Sequence, residues 1–408
     1  MNIFFGVIGV FAILFIAFLL SSNRRAINLR TVGFAFLIQV VFAMLVLYIP
    51  FGQKILGGMA IGVSNALSAG REGVKFVFGP LADANPGFIF AISVLAVIVF
   101  FASLISVLYY IRVMPLIINT IGLGLHKLLG TSRAESLSAT ANIFVGQTEA
   151  PLVIKPFLAT MTKSEIFTVM VGGLASVSGG VIAGYASLGI DIKYLIAASF
   201  MSAPGGLLMA KMILPETEAP IQTLEEADKK AHDADKPTNI IDAAAEGAKS
   251  GLFLSVNVGA MLIAFIGLTY LVDMILGGVG GWFGFDHLSL KLILGYLFSP
   301  IAFIIGIPWN EAIVVGGFLG EKMVLNEFVA YISFTQVMQS ISAHSQVITT
   351  FALCGFANIS SIGILLGGMG TLVPSKRSTI ANLAVKAVLA GTLSNLMSAT
   401  LAGIFTSL

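Results

Sequence analysis

The chain has 408 residues, of which 22 are Lys or Arg and 20 are Asp or Glu, so only 10% carry charge and 57% are hydrophobic. An ordinary soluble domain carries about 25% charged residues, so this balance excludes a soluble globular enzyme, a disordered chain and a disulfide scaffold. The net charge of +2 leaves no nucleic-acid footprint, and the single cysteine, Cys354, leaves no intrachain disulfide.

What remains is an all-α polytopic membrane protein, since a spanning helix needs about 20 mostly apolar residues. The apolar runs are long rather than short and alternating, which argues against a barrel. Residues 2–20 are apolar from the start and lack a basic leader, so they predict a first spanning helix rather than a cleaved signal. The loop 21–30 carries Arg24, Arg25 and Arg30. By the positive-inside rule it is cytoplasmic and the N-terminus is outside. A second helix is predicted over 31–48. Residues 52–79 are punctuated by Gly and by Lys54, Arg71, Glu72 and Lys75; they are too polar to span and predict an interfacial helix. A third spanning helix over 88–110 returns the chain inside at Arg112.

The pattern then changes. Two apolar stretches, 133–158 and 309–341, are interrupted by polar residues: Asn142 to Pro151 in one, Asn326-Glu327 in the other. Each is long enough to enter and leave a membrane as two half-helices with the polar residues at the turn. Such breaks are tolerated at membrane depth only where they are buried in protein or line a wet cavity. Each stretch is followed by a long apolar helix broken in the middle, at Ala175–Gly180 and at Phe356–Ser361. Each break is followed by a Gly-x-x-x-Gly pair, Gly180/Gly184 and Gly363/Gly367, of the kind that lets helices approach closely. A further helix follows each, over 192–214 and 379–408. Hairpin, broken helix and whole helix thus occur twice, the mark of an internal repeat in a secondary transporter with its site where the broken elements meet.

Counting helices from the basic loop sends the first hairpin in from the cytoplasm. The segment 215–239, with ten charged residues in 25, becomes a mobile cytoplasmic linker. A sixth spanning helix over 241–275 then runs outward, so the second hairpin enters from outside and the repeats are inverted. Lys376-Arg377, before the last helix, agree with a cytoplasmic turn.

Glu149 and Glu327 are the acidic residues that sit inside apolar stretches at matching turns. A charge at the bilayer centre costs about 2.5–3.5 kcal/mol on insertion scales, which makes both functional candidates. Gln147, Thr148 and Glu149, just before Pro151, are expected at a half-helix N-terminus, where an amide, a hydroxyl and a carboxylate suit a ligand rich in donors and acceptors. Asn142, Ser176 and Ser178 supply neutral oxygens near the first turn and break, which fits either a sodium ion or interhelical hydrogen bonding. Asn358, Ser360 and Ser361 form the matching group, with Phe356 as a stacking face. His126, His232, His287 and His344 are scattered and show no metal-ligand spacing. Pro204-Gly205-Gly206 predicts a kink in the helix over 192–214 and reads as packing, as does Cys354, and Trp282 and Trp309 read as interface anchors.

The segments Gly146–Pro151, Asn326–Tyr331 and Gly355–Ser361 resemble the concentrative nucleoside transporters, and the resemblance runs over essentially the whole chain. It implies a bacterial inner-membrane, sodium-coupled homotrimer of eight spanning helices and two opposed re-entrant hairpins per protomer. In that arrangement a transport domain moves against a scaffold in elevator fashion. The implied division is 1–129 (scaffold helices and interfacial helix), 130–214 (first repeat), 215–240 (linker), 241–285 (scaffold helix) and 286–408 (second repeat), with both termini periplasmic. The resemblance places base binding on Gln147, Thr148 and Glu149 with Val181 nearby, and ribose binding on Glu327, Asn358 and Ser361. Leu254 and Phe356 would be apolar neighbours of the nucleoside. Sodium, the coupling ion and not a resident cofactor, would be held by Asn142 and Ser176 with carbonyls of Val145, Ser176 and Val177. The resulting expectation is import of a nucleoside such as uridine. The alternatives are proton coupling through Glu149 or Glu327, a passive channel, or, from another class, an intramembrane hydrolase.

Overall fold

Helices form where the apolar runs lie, and side-chain caps set where many of them begin. The computed structural model describes residues 3–82, 89–220, 237–282, 284 and 288–408. The expected start of the first helix at 2 and of the third at 88, most of the charged linker with His232, and His287 lie outside the described residues.

The opening run is α1 (Ile3–Leu19). Asn28 accepts from the amides of Arg30 and Thr31 and caps α2 (Leu29–Ala43), which continues as a π-turn over Met44–Tyr48. Pro50 sits in the first turn of α3 (Pro50–Phe78), where a missing N–H is tolerated. The α3 helix covers the segment expected to be interfacial and is not among the helices long and apolar enough to span. Leu56, Ala60, Leu67 and Val74 form its buried stripe, while Phe51, Ile61 and Phe76 point away from the chain. A π-turn over Ala91–Leu95 leads into α4 (Ala96–Tyr110).

Next comes α5 (Val113–Leu129), a helix beyond those expected from the sequence. The first hairpin goes in as α6 (Arg133–Ala141) and returns as α7 (Ala150–Val153) and α8 (Lys155–Leu158). The broken helix is α9 (Lys163–Ala175) plus α10 (Gly179–Ser187), and α11 (Ile192–Ile213) follows. Both α6 and α9 open with a full capping box, Ser132/Glu135 and Thr162/Glu165. The sixth spanning helix, α12 (Ile240–Trp282), has 43 residues and outruns the expected 241–275. After it, α13 (Leu290–Ile304) bends by 116° into α14 (Trp309–Val324). The second hairpin returns as α15 (Glu327–Val337). The second broken helix is α16 (Ala343–Leu353) plus α17 (Ser360–Gly367); a turn, α18 (Met369–Leu372), leads to α19 (Arg377–Thr406).

No strand occurs among the described residues. Among the described residues, six helical segments are long and apolar enough to cross a membrane. The 17-residue α1 and the broken pair α16/α17 bring the spans to the expected eight. The short helices α5 and α13 each precede a hairpin, so the structural repeat is one helix longer than its sequence signature. The helix α5 is apolar but has only 17 residues, short of a full span, and Met114, Ile118, Leu125 and Leu129 form its buried stripe.

Burial separates two groups of helices. In α9/α10 and α11, 94% of the spanning window is buried, against 28% in the span containing α4 and 17% in α12. The inner group is organised by α19, which packs on α9, α11 and α16. Small residues permit this closeness. A Cβ on Gly205 would meet the side chains of Gln39 and Ser394 at 2.6 Å, and α11 runs through Pro204 without a break. The two Gly-x-x-x-Gly pairs differ. Gly180 faces α4 at Ile98 and Gly184 the preceding π-turn at Val94, as expected, but Gly363 and Gly367 have nothing within 4 Å. That expectation of close approach fails because their face of α17 turns away from the other helices of the chain. Trp282 and Trp309 are exposed at helix ends, and Cys354 is buried in packing.

Where the middles of α13 and α14 pack together, a Cβ on Gly316 would sit 2.6 Å from the Gly295 carbonyl oxygen and 2.8 Å from the Ser299 nitrogen. Both are backbone atoms, so the two helices must separate to admit a larger residue. Gly316→Val is expected to destabilise the protein by about 1–3 kcal/mol, measured as a lower midpoint of thermal unfolding in detergent.

Candidate functional site

The two hairpin tips approach the two helix breaks. At the first tip the chain is non-helical from Asn142 to Glu149. Gly172 and Gly173 on α9 admit it: a Cβ on Gly173 would lie 2.8 Å from Gln147 Cβ, and one on Gly172 3.1 Å from Asn142 Nδ2. The tip is held by the Gly179 N–H donating to the Phe144 carbonyl at 2.9 Å and by the Ser199 hydroxyl donating to the Ile143 carbonyl at 2.6 Å. Beyond the tip, Pro151 and Pro156 divide the return limb into the single turns α7 and α8. The half-helix expected after Glu149 is therefore absent. One turn carries no useful macrodipole, and Gln147, Thr148 and Glu149 act through their side chains.

At the second tip Asn326 accepts from the Val329 amide at 3.0 Å and caps α15, which puts Glu327 in its first turn. The Glu327 carboxylate is buried and accepts from Asn358 Nδ2 at 2.8 Å. Asn358 Oδ1 in turn accepts from the Ser361 amide at 2.8 Å and the Ser360 hydroxyl at 2.6 Å. Gln147 Nε2 reaches Ser361 Oγ at 3.4 Å. A chain of polar contacts thus runs from Gln147 through Ser361 and Asn358 to Glu327, joining the first tip to the second tip across the second break. Thr148 lies against Gly368 at the end of α17.

The two breaks are also tied together by backbone. The Phe356 N–H donates to the Ser176 carbonyl at 3.1 Å. Beside that carbonyl, the Ser176 hydroxyl donates to the Gly172 carbonyl at 3.0 Å, which leaves its lone pairs free. Asn142 Oδ1 and Ser138 Oγ are buried and have no hydrogen-bond partner. Buried polar atoms are rarely left in that condition. An orphaned amide oxygen beside a free hydroxyl and freed carbonyls is a donor set for a hard cation. Ser178 instead caps α10 by accepting from the Val181 amide.

Glu149 opens onto a cavity of about 510 Å³ between the first tip, α4 and α12, lined by Tyr109, Ser178, Glu246, Ser250 and Leu254 among others. That volume suits a small ligand. Phe356 is half-buried, whereas Val181 is fully buried beneath the first break.

Of the expected residues, Gln147, Ser361, Asn358 and Glu327 are joined by hydrogen bonds, while Glu149 and Leu254 line the separate cavity; two further buried groups are lysines. Lys211 forms an ion pair with Glu135 at the base of the first hairpin and donates to Ser164 Oγ at 3.0 Å. Lys322 is buried near the second tip beside Asn395. The rule that singled out Glu149 and Glu327, a charge inside an apolar stretch, finds both lysines when applied to basic residues.

Comparison with known proteins adds the following. Residues 194–403 match the family model of the Na+ dependent nucleoside transporter C-terminus, residues 8–81 that of its N-terminus, and residues 91–191 a nucleoside recognition model. The chain is 54% identical over 415 residues to the nucleoside permease NupC of Helicobacter pylori, covering 99% of this chain and 98% of that protein. It is 38% identical to the sodium/nucleoside cotransporter 1 of Mus musculus, over 97% of this chain and 63% of that one. The solved structure of CNTnw in an inward-facing substrate-bound state has a TM-score of 0.96 and 50% identity to it, with 99% of this chain and 98% of that chain covered.

Proposed function

The chain belongs to the Na+ dependent nucleoside transporter family, and from that premise we propose that it is a symporter importing nucleosides such as uridine on the inward sodium gradient. It is a multi-pass membrane transporter and not an enzyme. The observation that carries the finer reading is the polar chain from Gln147 to Glu327 lying next to the unpartnered Asn142 Oδ1. One group suits a hydroxyl-rich, neutral ligand and the other a monovalent cation.

In this reading the base is held by Gln147, Thr148 and Glu149, with Val181 behind the break. The ribose hydroxyls donate to Glu327 and meet Asn358 and Ser361. Leu254 and Phe356 enclose the apolar faces. A carboxylate facing an uncharged ligand is then explained, because charge-assisted hydrogen bonds are about twice as strong as neutral ones. Sodium takes Asn142 Oδ1, the Ser176 hydroxyl and the carbonyls of Val145, Ser176 and Val177.

Coupling has a short path. The Ser176 carbonyl assigned to sodium also receives the Phe356 N–H, and Asn358 lies two residues beyond Phe356. Ion binding at the first tip orders the break that presents the nucleoside residues, and by linkage the nucleoside tightens sodium equally. The buried inner helices form the moving body, residues 130–214 and 286–408. The exposed α3, α4 and α12 belong to a scaffold that trimerises in a bacterial inner membrane, with both termini periplasmic and residues 215–240 in the cytoplasm.

Purified protein in liposomes loaded without sodium is expected to accumulate intact labelled uridine when sodium is added outside. Equal accumulation under a proton gradient without sodium replaces this reading with proton coupling through Glu149 or Glu327, and equilibration without accumulation makes the protein a passive channel.

A further inference from the structure

The two repeats close their hairpins on their broken helices by different means. One backbone contact is common to both. The Gly179 N–H donates to the Phe144 carbonyl at 2.9 Å, and the Ile359 N–H donates to the Met323 carbonyl at 3.0 Å. This pair sets the register between repeats: Phe144 matches Met323, Ile143 matches Lys322, and Gly179 matches Ile359.

Around that contact the tips diverge. The first is non-helical over Asn142–Glu149 and leaves Asn142 Oδ1 and Ser138 Oγ buried without partners. The second is helical up to Val324. In its last turn stands Lys322, 3% exposed, whose ammonium donates to the Ala352 carbonyl at 2.7 Å and to Asn395 Oδ1 at 2.8 Å. Ala352 lies in the last turn of α16, where carbonyls lack helical partners and a positive charge is favoured. Asn395, on α19, donates to the Ala175 carbonyl at 2.7 Å and the Cys354 carbonyl at 3.0 Å. Those two carbonyls end α9 and α16 at the two breaks. One amide side chain therefore gathers both breaks and the lysine, and a Cβ on Gly355 would collide with it. At the matching position of the first repeat, Ile143 brings no charge.

A buried ammonium bonded only to neutral oxygens is expensive, so packing alone does not account for it. Glu327 follows five residues on, and the Ile359 N–H that bonds the Met323 carbonyl beside Lys322 adjoins Asn358, the partner of the Glu327 carboxylate. Neutral oxygens around a positive charge, where a hairpin meets a helix break, are what the first repeat offers to a free ion.

We propose that the Lys322 ammonium is a built-in cation: it closes the second hairpin on its broken helix as a bound sodium ion closes the first. The chain then takes up one coupling ion per nucleoside, and Lys322 is a positioning residue that holds Glu327 and Asn358 for the ribose at any sodium concentration. The proposal rests on the sodium symport reading above.

The test is uridine binding to purified protein over a range of sodium concentrations. The wild type is expected to show a Hill coefficient for sodium of about 1. Lys322→Met, neutral and of similar length, is expected to lose about tenfold or more in uridine affinity at saturating sodium, as a buried acceptor left unpaired should cost. Lys322→Ala opens the space, and methylammonium is expected to restore its uridine binding while leaving the wild type unaffected; a purely structural lysine would not give this rescue. Wild-type uridine affinity in folded Lys322→Met, or failure of methylammonium to rescue folded Lys322→Ala, overturns the proposal. If neither variant folds, Asn395→Ala decides. It removes one acceptor and leaves the other, and it is expected to weaken uridine binding with the sodium Hill coefficient unchanged; unaltered affinity refutes the role. A wild type that binds uridine without any response to sodium would sink the symport reading instead, and the two failures are told apart by that one control.

Discussion

Replacing Glu327 by Gln lowers uridine affinity by about 2–3 kcal/mol, roughly 30- to 150-fold, and leaves the protein folded. The reasoning starts from the site. Glu327 is 4% exposed and accepts from Asn358 Nδ2 at 2.8 Å. A glutamine can turn its oxygen toward Asn358 and keep that bond, so the tip of α15 stays in place. Its other atom is then a donor where the carboxylate had an acceptor, and a ribose hydroxyl loses a charge-assisted partner. Calorimetric titration of uridine, with the unfolding midpoint as control, checks the result. A folded Glu327→Gln protein with wild-type affinity would remove Glu327 from the ribose.

Replacing Asn142 by Leu abolishes the sodium response. Leu is of similar size, and the loop keeps its backbone bond from the Asn142 N–H to the Ser138 carbonyl at 3.0 Å. What disappears is Oδ1, a buried oxygen with no partner, and the Nδ2 donation to the Ser138 carbonyl at 3.0 Å, an oxygen that keeps the Asn142 N–H. Without sodium Oδ1 costs desolvation energy and returns nothing, so Asn142→Leu is expected to be as stable as the wild type, or more so, in sodium-free buffer. In sodium the order reverses, because only the wild type gains stability from bound ion. Uridine affinity of the variant is expected to stay at its sodium-free value at every sodium concentration, as linkage requires. Unfolding midpoints and uridine titrations with and without sodium measure both effects. A variant that keeps the wild-type sodium dependence would place the ion elsewhere.

Much of this was legible in order along the chain. Scarcity of charge gave the membrane, long runs gave the helices, and two polar interruptions gave the hairpins, because a break at membrane depth is affordable only in a protected place. Glu149 and Glu327 stood out for the same reason, and the resemblance to a family put names to Asn358, Ser361, Ser176 and the rest. Other features were hidden. The helix α5 is apolar but, at 17 residues, too short to stand out as a span. The return limb of the first hairpin was expected as a helix, but Pro151 and Pro156 together reduce it to single turns. Gly363/Gly367 has the spacing of a packing pair, yet spacing does not say which way a helix face turns.

By itself, then, the sequence determined what lies at membrane depth: composition and periodicity are local quantities, and each residue's cost in lipid can be judged from its own neighbours. Only the tertiary structure decided which buried groups meet. Gln147 and Ser361 are 214 positions apart, and Asn395 and Ala175 are 220 apart. No local pattern pairs such residues. The partner of a buried amide or ammonium is fixed by the crossing of helices, and that crossing leaves Asn142 waiting for an ion while it gives Lys322 its oxygens.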